Sequence, residues 1–399
     1  MKILVITSSY PRWEGDIAGG FVKRWVQQCA SRGAHVDVLC WEDDTRRAPD
    51  ATHPRVRVEW VAYAGDPASQ RLFYGSGAPE HLEAARALPA RARVASQTCR
   101  ATWAMAQRAS KHIQRARPNL IVGHWLAPAG ALAAGLSRLH GIPCGVVTHS
   151  GGVHLLNRLG SAGRALARAI DAGARGQLSF TQHDLQETFS RMVGRPLSAR
   201  VLPMGFDAPT QQAGGKDWLV LGRLVPIKRV DRALAAFAAS RASAQGRALH
   251  VVGDGPCLDA LRAQADTYAR ARIRFHGLLT GAARDEVMRR CRVAVFSSTR
   301  LPSGRAEGLP VSFLEASGAG LVPLVSREIA VGHLLADAAS QRLPESPDKW
   351  AAHIDTSWEA LSAPGLSART RALVAPYEWS NLGELWWQRV CQWAQPSRP

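Results

Sequence analysis

Acidic residues are scarce in this 399-residue chain, and the scarcity is uneven. Fifty Lys and Arg stand against 32 Asp and Glu, a formal net charge of +18. No Asp or Glu occurs from Ala84 to Ile170. Residues 1–205 hold 26 Lys/Arg and 14 Asp/Glu, a surplus of 12 that leaves 6 for the remainder. Cysteine is sparse too: Cys29, Cys40, Cys99, Cys144, Cys257, Cys291 and Cys391 are odd in number and form no close pairs. That pattern speaks against a disulfide framework or a cysteine metal site and fits a reducing cytoplasm. Long apolar runs are missing as well. The nearest, Leu120 to Leu136, is broken by His124 and Pro128 and reads as strand, loop and helix rather than a membrane span. Met1-Lys2 leads straight into a strand, so no targeting segment is expected. Internal repeats and low-complexity tracts are also lacking. No G-x-G-x-x-G follows the first strand, which counts against a plain dinucleotide-binding oxidoreductase.

What is present is an alternation of short apolar runs with helical stretches. The runs are Ile3–Ile6, Val36–Leu39, Leu120–Val122, Gly145–Thr148, Trp218–Leu221, Leu249–Val252, Ile273–Phe275, Val293–Phe296 and Val322–Val325. Short all-apolar strands separated by helices predict an α/β chain with parallel sheets covered on both faces. Its length suffices for two domains, each with its own core. The polar stretch DAPTQQAGG places a flexible boundary within Phe206–Lys216. Domains are therefore expected at 1–205 and 217–375, with 206–216 as linker and 376–399 as a terminal helix. In that helix Trp379, Leu382, Leu385, Trp386 and Val390 recur at helical spacing, as a core stripe does.

Ligands of such sheets bind beyond the carboxyl ends of the strands, and the chemistry-bearing residues cluster there. EGLPVSFLEA sets Glu307 and Glu315 eight residues apart, with Gly308 and Pro310 opening a helix. Pro in the first helical turn leaves Glu307 in the loop and Glu315 about two turns in. Eight residues at helical rise span about 12 Å, near the reach from a sugar ring to the ribose of a nucleotide sugar. Free N–H groups at the helix start could face a diphosphate between them. Upstream, WLVLGRLVPIKRVDRAL puts Arg223 and Lys228 in a strand-to-helix turn, where a guanidinium fork and an ammonium suit an anionic diphosphate. In VVGDGP, Gly253 and Gly255 permit a tight turn or a close approach to ligand. Near the N-terminus Gly19 and Gly20 precede a helix beginning near Phe21, where backbone N–H groups could meet a phosphate. His149 follows the strand GVVT and should project from its carboxyl end. Taken singly, each of these also has an ordinary structural explanation: surface carboxylates and cations, tight turns, a packed imidazole.

Their order is what is specific. GRLVPIK, VVGDGP, IRFHGLLT and EGLPVSFLEASGAGLVPLVS resemble the donor-binding half of the family 4 glycosyltransferases. MKILVITSSYPRWEGDIAGGFV, HWLAPAG, VVTHSGG and VLPMGFD extend the resemblance over nearly the whole chain. It implies two facing Rossmann-like domains (the GT-B architecture) and a last helix that crosses back to the first. It also implies transfer with retention of configuration, a nucleotide diphosphate sugar as donor substrate, UDP- or GDP-linked, and no cofactor or metal. By resemblance, Glu307 contacts donor sugar hydroxyls, Glu315 the ribose hydroxyls, and His149 the donor sugar and reacting centre. Arg223 and Lys228 stabilise the leaving diphosphate. Donor contacts are then expected from Gly19, Gly20, Arg223, Lys228, Gly253, Glu307, Gly308, Leu309 and Glu315. Two departures stand out. Ser150, Gly151 and Gly152 follow His149 where the family often has Gly-X-Asp, and SREIAVGHLL replaces a Gly-Gly and Glu, leaving Glu328 out of place.

The basic block admits three readings: an arginine-rich soluble surface, docking on an anionic membrane, or nucleic-acid binding. Arg86, Arg91, Arg93, Arg100, Arg108, Lys111, Arg115 and Arg117 crowd one helical segment, with Trp103 and Met105 interleaved. No nucleic-acid-reading motif accompanies them. The expected partners are a nucleotide-sugar donor and a saccharide or lipid-linked acceptor, with an anionic membrane surface left open as a third and nucleic acid disfavoured. The expected place is the cytoplasm, with peripheral attachment to the inner face of the cell membrane as the open alternative. The competing functions are a nucleotide-sugar epimerase of the same fold and a non-catalytic scaffold of a membrane biosynthetic complex.

Overall fold

The computed structural model describes residues 1–46, 53–66, 69–73, 81, 87–197, 199–210, 212–301 and 306–395. Arg86 of the basic block, Gln211 of the expected linker and the last four residues of the expected terminal helix lie outside them. The chain divides into two compact units, Met1–Met204 with Gly383–Pro399, and Gly205–Leu382.

Among the described residues the first unit carries seven parallel strands. They are β1 (Lys2–Thr7), β2 (His35–Trp41), β3 (Val56–Val61), β4 (Leu120–His124), β5 (Cys144–Thr148), β6 (Leu178–Phe180) and β7 (Arg200–Val201). Their spatial order is β3-β2-β1-β4-β5-β6-β7. The chain therefore reverses its direction of travel between β1 and β4, which opens a crevice at their carboxyl ends. β3, β6 and β7 were not apparent from apolar runs. β3 alternates (VRVEWV) at the sheet edge, and β6 and β7 have only three and two residues.

The second unit repeats the logic with β8 (Asp217–Leu221), β9 (Ala248–Val252), β10 (Arg272–Gly277), β11 (Cys291–Phe296) and β12 (Val322–Val325). Spatial order is β10-β9-β8-β11-β12, all parallel, with the reversal between β8 and β11. Strand side chains alternate between two cores. Trp218 and Val220 face Leu234, Phe237 and Trp350, while Leu219 and Leu221 face Phe313, Leu314 and Phe206.

The stretch expected to be a flexible linker is tied down instead. Phe206 is buried and bridges Glu378, the Ala213 N–H donates to the Ala319 carbonyl at 2.7 Å, and the Gly215 N–H donates to that of Arg289 at 3.1 Å. Its polar composition reflects a surface path rather than freedom, because its backbone groups are satisfied by the second unit. The last helix, Trp379–Ala394, starts in the second unit and ends in the first. Trp386 meets Trp25 edge-on at 6.2 Å, and its indole N–H donates to the Pro203 carbonyl at 3.0 Å. Trp393 lies so close to Gly145 of β5 that a Cβ there would be 2.1 Å from the indole. The apolar stripe is core, as its spacing indicates, with Trp393 added and Leu385 only half-buried.

Candidate active site

In the second unit the crevice between the carboxyl ends of β8 and β11 gathers the charged residues. Gly222, Arg223, Lys228, Ser297 and Ser298 line one cleft there. β8 ends at Leu221, and a short turn, Pro226–Lys228, delivers Lys228. Two bonds fix that turn: Thr299 N–H to the Ile227 carbonyl at 2.9 Å and Ser297 hydroxyl to the Lys228 carbonyl at 2.8 Å. The Lys228 ammonium then donates to Glu307 Oε1, and the Ser298 hydroxyl donates to Glu307 Oε2. Both side chains of the ion pair are 17% exposed, so it is sheltered without being sealed from solvent.

The glycines here are demanded by backbone contact. Gly253 has φ 145°, and a Cβ on it would lie 1.9 Å from the Gly222 carbonyl oxygen. The two strand-end turns therefore touch backbone to backbone. A Cβ on Gly222 itself would lie 3.6 Å from Lys228 Nζ and 3.7 Å from Ser312 Oγ, which shows how closely those groups converge.

Glu307 lies in the loop, as its sequence predicts, with Gly308 and Leu309 following, both half-buried. The helix after Pro310 runs Val311–Gly318 and places Glu315 as its fifth residue, just over one turn in rather than two. Pro310 is the N-cap, not an interior residue of the first turn, which accounts for the difference. Glu315 belongs to a second network, sharing no hydrogen bond with the Lys228 cluster among the described residues: its partner is Arg284. Arg284 donates to Glu315 at 2.7 Å and to Asp285 at 2.9 Å, and Asp285 accepts from the Thr210 hydroxyl at 3.1 Å. Burial raises the Glu315 carboxyl above the usual range, with Arg284 opposing.

The first unit holds the other expected residues. Gly19 has φ 67° and caps the helix Gly20–Ser31; a Cβ on it would strike the Ser9 carbonyl at 2.4 Å. At Gly20 a Cβ would meet nothing within 4 Å, so no packing explains that glycine. His149 caps the helix Ser150–Arg158 just past β5. Its ring is surrounded by Phe21 at 5.0 Å, Trp125 at 4.8 Å and His124 at 5.8 Å between centroids. His149 Nε2 and His124 Nδ1 are 3.5 Å apart. Burial pushes His149 down to about 3, and burial with His149 beside it holds His124 well below the usual imidazole range. His124 Nε2 is buried with no hydrogen-bond partner among the described residues. Glu328, displaced from the family pattern, pairs loosely with Arg300 at 3.9 Å.

Two family models match the chain in tandem: a glycosyl transferase 4-like domain over residues 18–205 and glycosyl transferases group 1 over residues 207–371. The chain belongs to the family 4 glycosyltransferases. Among curated relatives, a GDP-mannose-dependent α-(1-6)-phosphatidylinositol monomannoside mannosyltransferase of Mycobacterium tuberculosis is 33% identical over 41% of this chain and 46% of its own. A putative teichuronic acid biosynthesis glycosyltransferase, TuaC of Bacillus subtilis, is 27% identical over 51% and 50%. This transferase thus spans about half the length of the curated relatives it matches. Among solved structures, sucrose-phosphate synthase from Thermosynechococcus elongatus superposes with a TM-score of 0.73 at 15% identity, covering 98% of this chain and 99% of that one. Anabaena HepE in complex with UDP and glucose gives 0.67 at 15% identity over 98% and 100%. These neighbours establish the GT-B fold for the transferase.

Sequence reasoning missed Ser298, Ser312, Arg284 and His124. Ser298 and His124 were within reach, since each stands at the carboxyl end of a predicted strand. Ser312 opens the EGLP helix. Arg284 carries no local signal; only the fold brings it to Glu315.

Proposed function

We propose that this glycosyltransferase moves a hexose-type sugar from a nucleoside diphosphate donor to an acceptor hydroxyl, with retention at the anomeric carbon. The observation that carries the reading is the convergence of Lys228, Glu307 and Ser298 at the switch point of the second sheet. A diphosphate entering this cleft takes over the ammonium of Lys228. Glu307 is thereby released, and its oxygens are freed to accept hydrogen bonds from sugar hydroxyls. Arg223 and the start of the helix Val311–Gly318 add positive potential where the leaving charge develops. The sugar–phosphate bond breaks as the bond to the acceptor oxygen forms, and the acceptor proton passes to the leaving phosphate. Charge is handled by these side chains, so no metal or cofactor is required in the proposed step. Glu315, held by Arg284, serves the ribose hydroxyls. His149 acts as a neutral hydrogen-bonding ring at neutral pH, and Gly19 and Gly20 as an anion-facing helix start; Gly253, Gly308 and Leu309 complete the proposed donor contacts.

The names of relatives support the choice of substrates without deciding it. One mannosyltransferase is described as GDP-mannose-dependent, and HepE has been seen with UDP. The acceptor we propose is a lipid-linked or saccharide intermediate of surface polysaccharide or glycoconjugate assembly, met at the inner face of the cell membrane. Among the described residues no helix is long and apolar enough to cross a membrane. Calorimetric titration with UDP and with GDP, on wild type and Lys228→Ala, tests the donor assignment. Binding of one nucleotide, weakened by the substitution, is expected. Binding of neither would overturn it in favour of a scaffold.

A further inference from the structure

The helix Leu88–Ala116 is far longer than the strands it covers, and its position along them can be read from three contacts. His112 meets Asp37 near the start of β2 at 3.1 Å, Arg108 pairs with Glu59 of β3, and the Ala101 carbonyl accepts from the indole of Trp41, the last residue of β2, at 2.8 Å. The helix therefore runs antiparallel to β2, and Ala101 is level with that strand's carboxyl end. The thirteen residues from Leu88 to Arg100 extend past it, about 20 Å at helical rise. None of them is buried; Val94, Gln97 and Thr98 are half-buried, and Val94 packs against the core. His124 and His149 stand at the carboxyl ends of β4 and β5, at this same end of the first sheet.

The surface of the overhang is unusual in composition. Leu88, Ala92, Ala95, Cys99 and Trp103 follow one another at intervals of four and three, so they form one line, and all are exposed. Leu88 is 81% and Trp103 67% exposed, the first and third most exposed of the large hydrophobic side chains among the described residues. Arg91, Arg93 and Arg100 flank that line, and none pairs with an acid among the described residues. Lys111 and Arg115 continue the basic side beyond the overhang, while Arg108 is engaged by Glu59. An apolar line bordered by unpaired arginines, within a stretch that contains no acid, complements a surface that is apolar inside and anionic at its rim. That is an anionic lipid bilayer.

We infer that residues 88–103 dock this transferase on anionic membrane, with Leu88 and Trp103 entering the interface and Arg91, Arg93 and Arg100 against lipid phosphates. Docking rests on this surface alone; its use, presenting the acceptor end of the first unit to the bilayer, rests on the lipid-linked acceptor proposed above. Co-sedimentation with vesicles at low salt is the test. Wild type is expected to bind vesicles containing phosphatidylglycerol, to ignore phosphatidylcholine alone, and to release as salt rises. Reversing Arg91, Arg93 and Arg100 to Glu should lower binding at least about tenfold, given that each basic residue near the surface contributes measurably. Reversing Arg241, Arg262 and Arg270 of the second unit, an equal change in net charge, should change it little. Trp103 fluorescence, read as the difference between wild type and Trp103→Phe, should blue-shift on binding. Equal losses from the two triple variants, equal binding to neutral vesicles, or preference for single-stranded RNA over vesicles would each overturn the inference. Nucleotide binding, measured in parallel, is expected to be unchanged by the overhang variants, so failure of docking and failure of the donor assignment are separable.

Discussion

The two sheets reverse direction at corresponding points, between β1 and β4 and between β8 and β11, yet the groups at those points differ in kind. In the second unit they are ionic: Lys228, Glu307 and Ser298 form a cluster at the crevice, and Arg284, Glu315 and Asp285 a separate one. In the first, the groups at the ends of β4 and β5 are aromatic: His124, His149, Phe21 and Trp125 are in ring contact, His124 buried and the other three half-buried, and burial lowers both imidazoles. One topology thus carries two kinds of cluster. In the proposed function the ionic cluster meets the group whose charge grows during reaction, and His149 meets the donor sugar as a hydrogen-bonding ring.

The sharpest way to break the contrast is to remove charge from the ionic side. Lys228→Ala is expected to lower kcat roughly 10²–10³-fold, the scale seen when one preorganised stabilising group is lost. Arg262→Ala, on an exposed helix face of the same unit, should stay near wild type. Steady-state kinetics with the cognate donor decides it, and equal losses in the two variants would refute the role given to Lys228.

A second contrast uses one substitution in both crevices. Gly253→Ala forces a Cβ into the Gly222 carbonyl at φ 145°, and should cost roughly 3 kcal/mol, combining backbone strain with overpacking. Gly20→Ala meets open space and sits at a helix start, so it should be neutral or stabilising by about 0.5 kcal/mol. If Gly20 serves an anion, that variant loses activity while keeping its melting temperature. Unchanged activity would make it an ordinary turn residue.

Arg284→Ala is expected to be milder. It leaves Asp285 and Glu315 without their shared cation, but Glu315 is 23% exposed, so water offsets part of the loss. We expect about 2 kcal/mol, below the range for a fully buried pair. Donor KM should rise more than kcat falls, because in the proposed function Arg284 holds Glu315 for the ribose and not for the transferred sugar. A kcat effect larger than the KM effect would argue against that division of labour.

How much of this was legible follows the same divide. All-apolar strands and strand-end charges advertise themselves locally, so β8 through β12, Arg223, Lys228 and Glu307 could be read one segment at a time. The edge strand β3 hides its role because one face is wet, and β7 is too short to show a period. Arg284 and Glu315 lie 31 residues apart, so only the folded packing of two helices joins them. The expected linker failed for a related reason: polar composition reports exposure, whereas rigidity depends on where the backbone hydrogen bonds go. The aromatic cluster was half visible. His149 could be placed at its strand end, but its ring contacts with Phe21 and Trp125, residues distant in sequence, come only with the fold.

The lowered His149 gives the smallest effect, a pH dependence that one substitution isolates from those of other groups. His149 is held at about 3 in the folded chain, against roughly 6.5 in the unfolded one. Its contribution to stability is complete above the unfolded value. Below that the unfolded chain takes up a proton that the folded ring refuses, so stability falls as pH drops toward the folded value. The slope is at most about 1.4 kcal/mol per pH unit for one ring, and His124, shifted in the same direction, adds to it. Thermal midpoints at pH 7 and pH 5, followed by tryptophan fluorescence, should therefore differ more in wild type than in His149→Phe. That variant keeps a ring among Phe21 and Trp125 while removing the titrating group. Parallel pH profiles in the two proteins would mean that the His149 ring titrates alike folded and unfolded, and the contrast drawn between the two clusters would have to be given up.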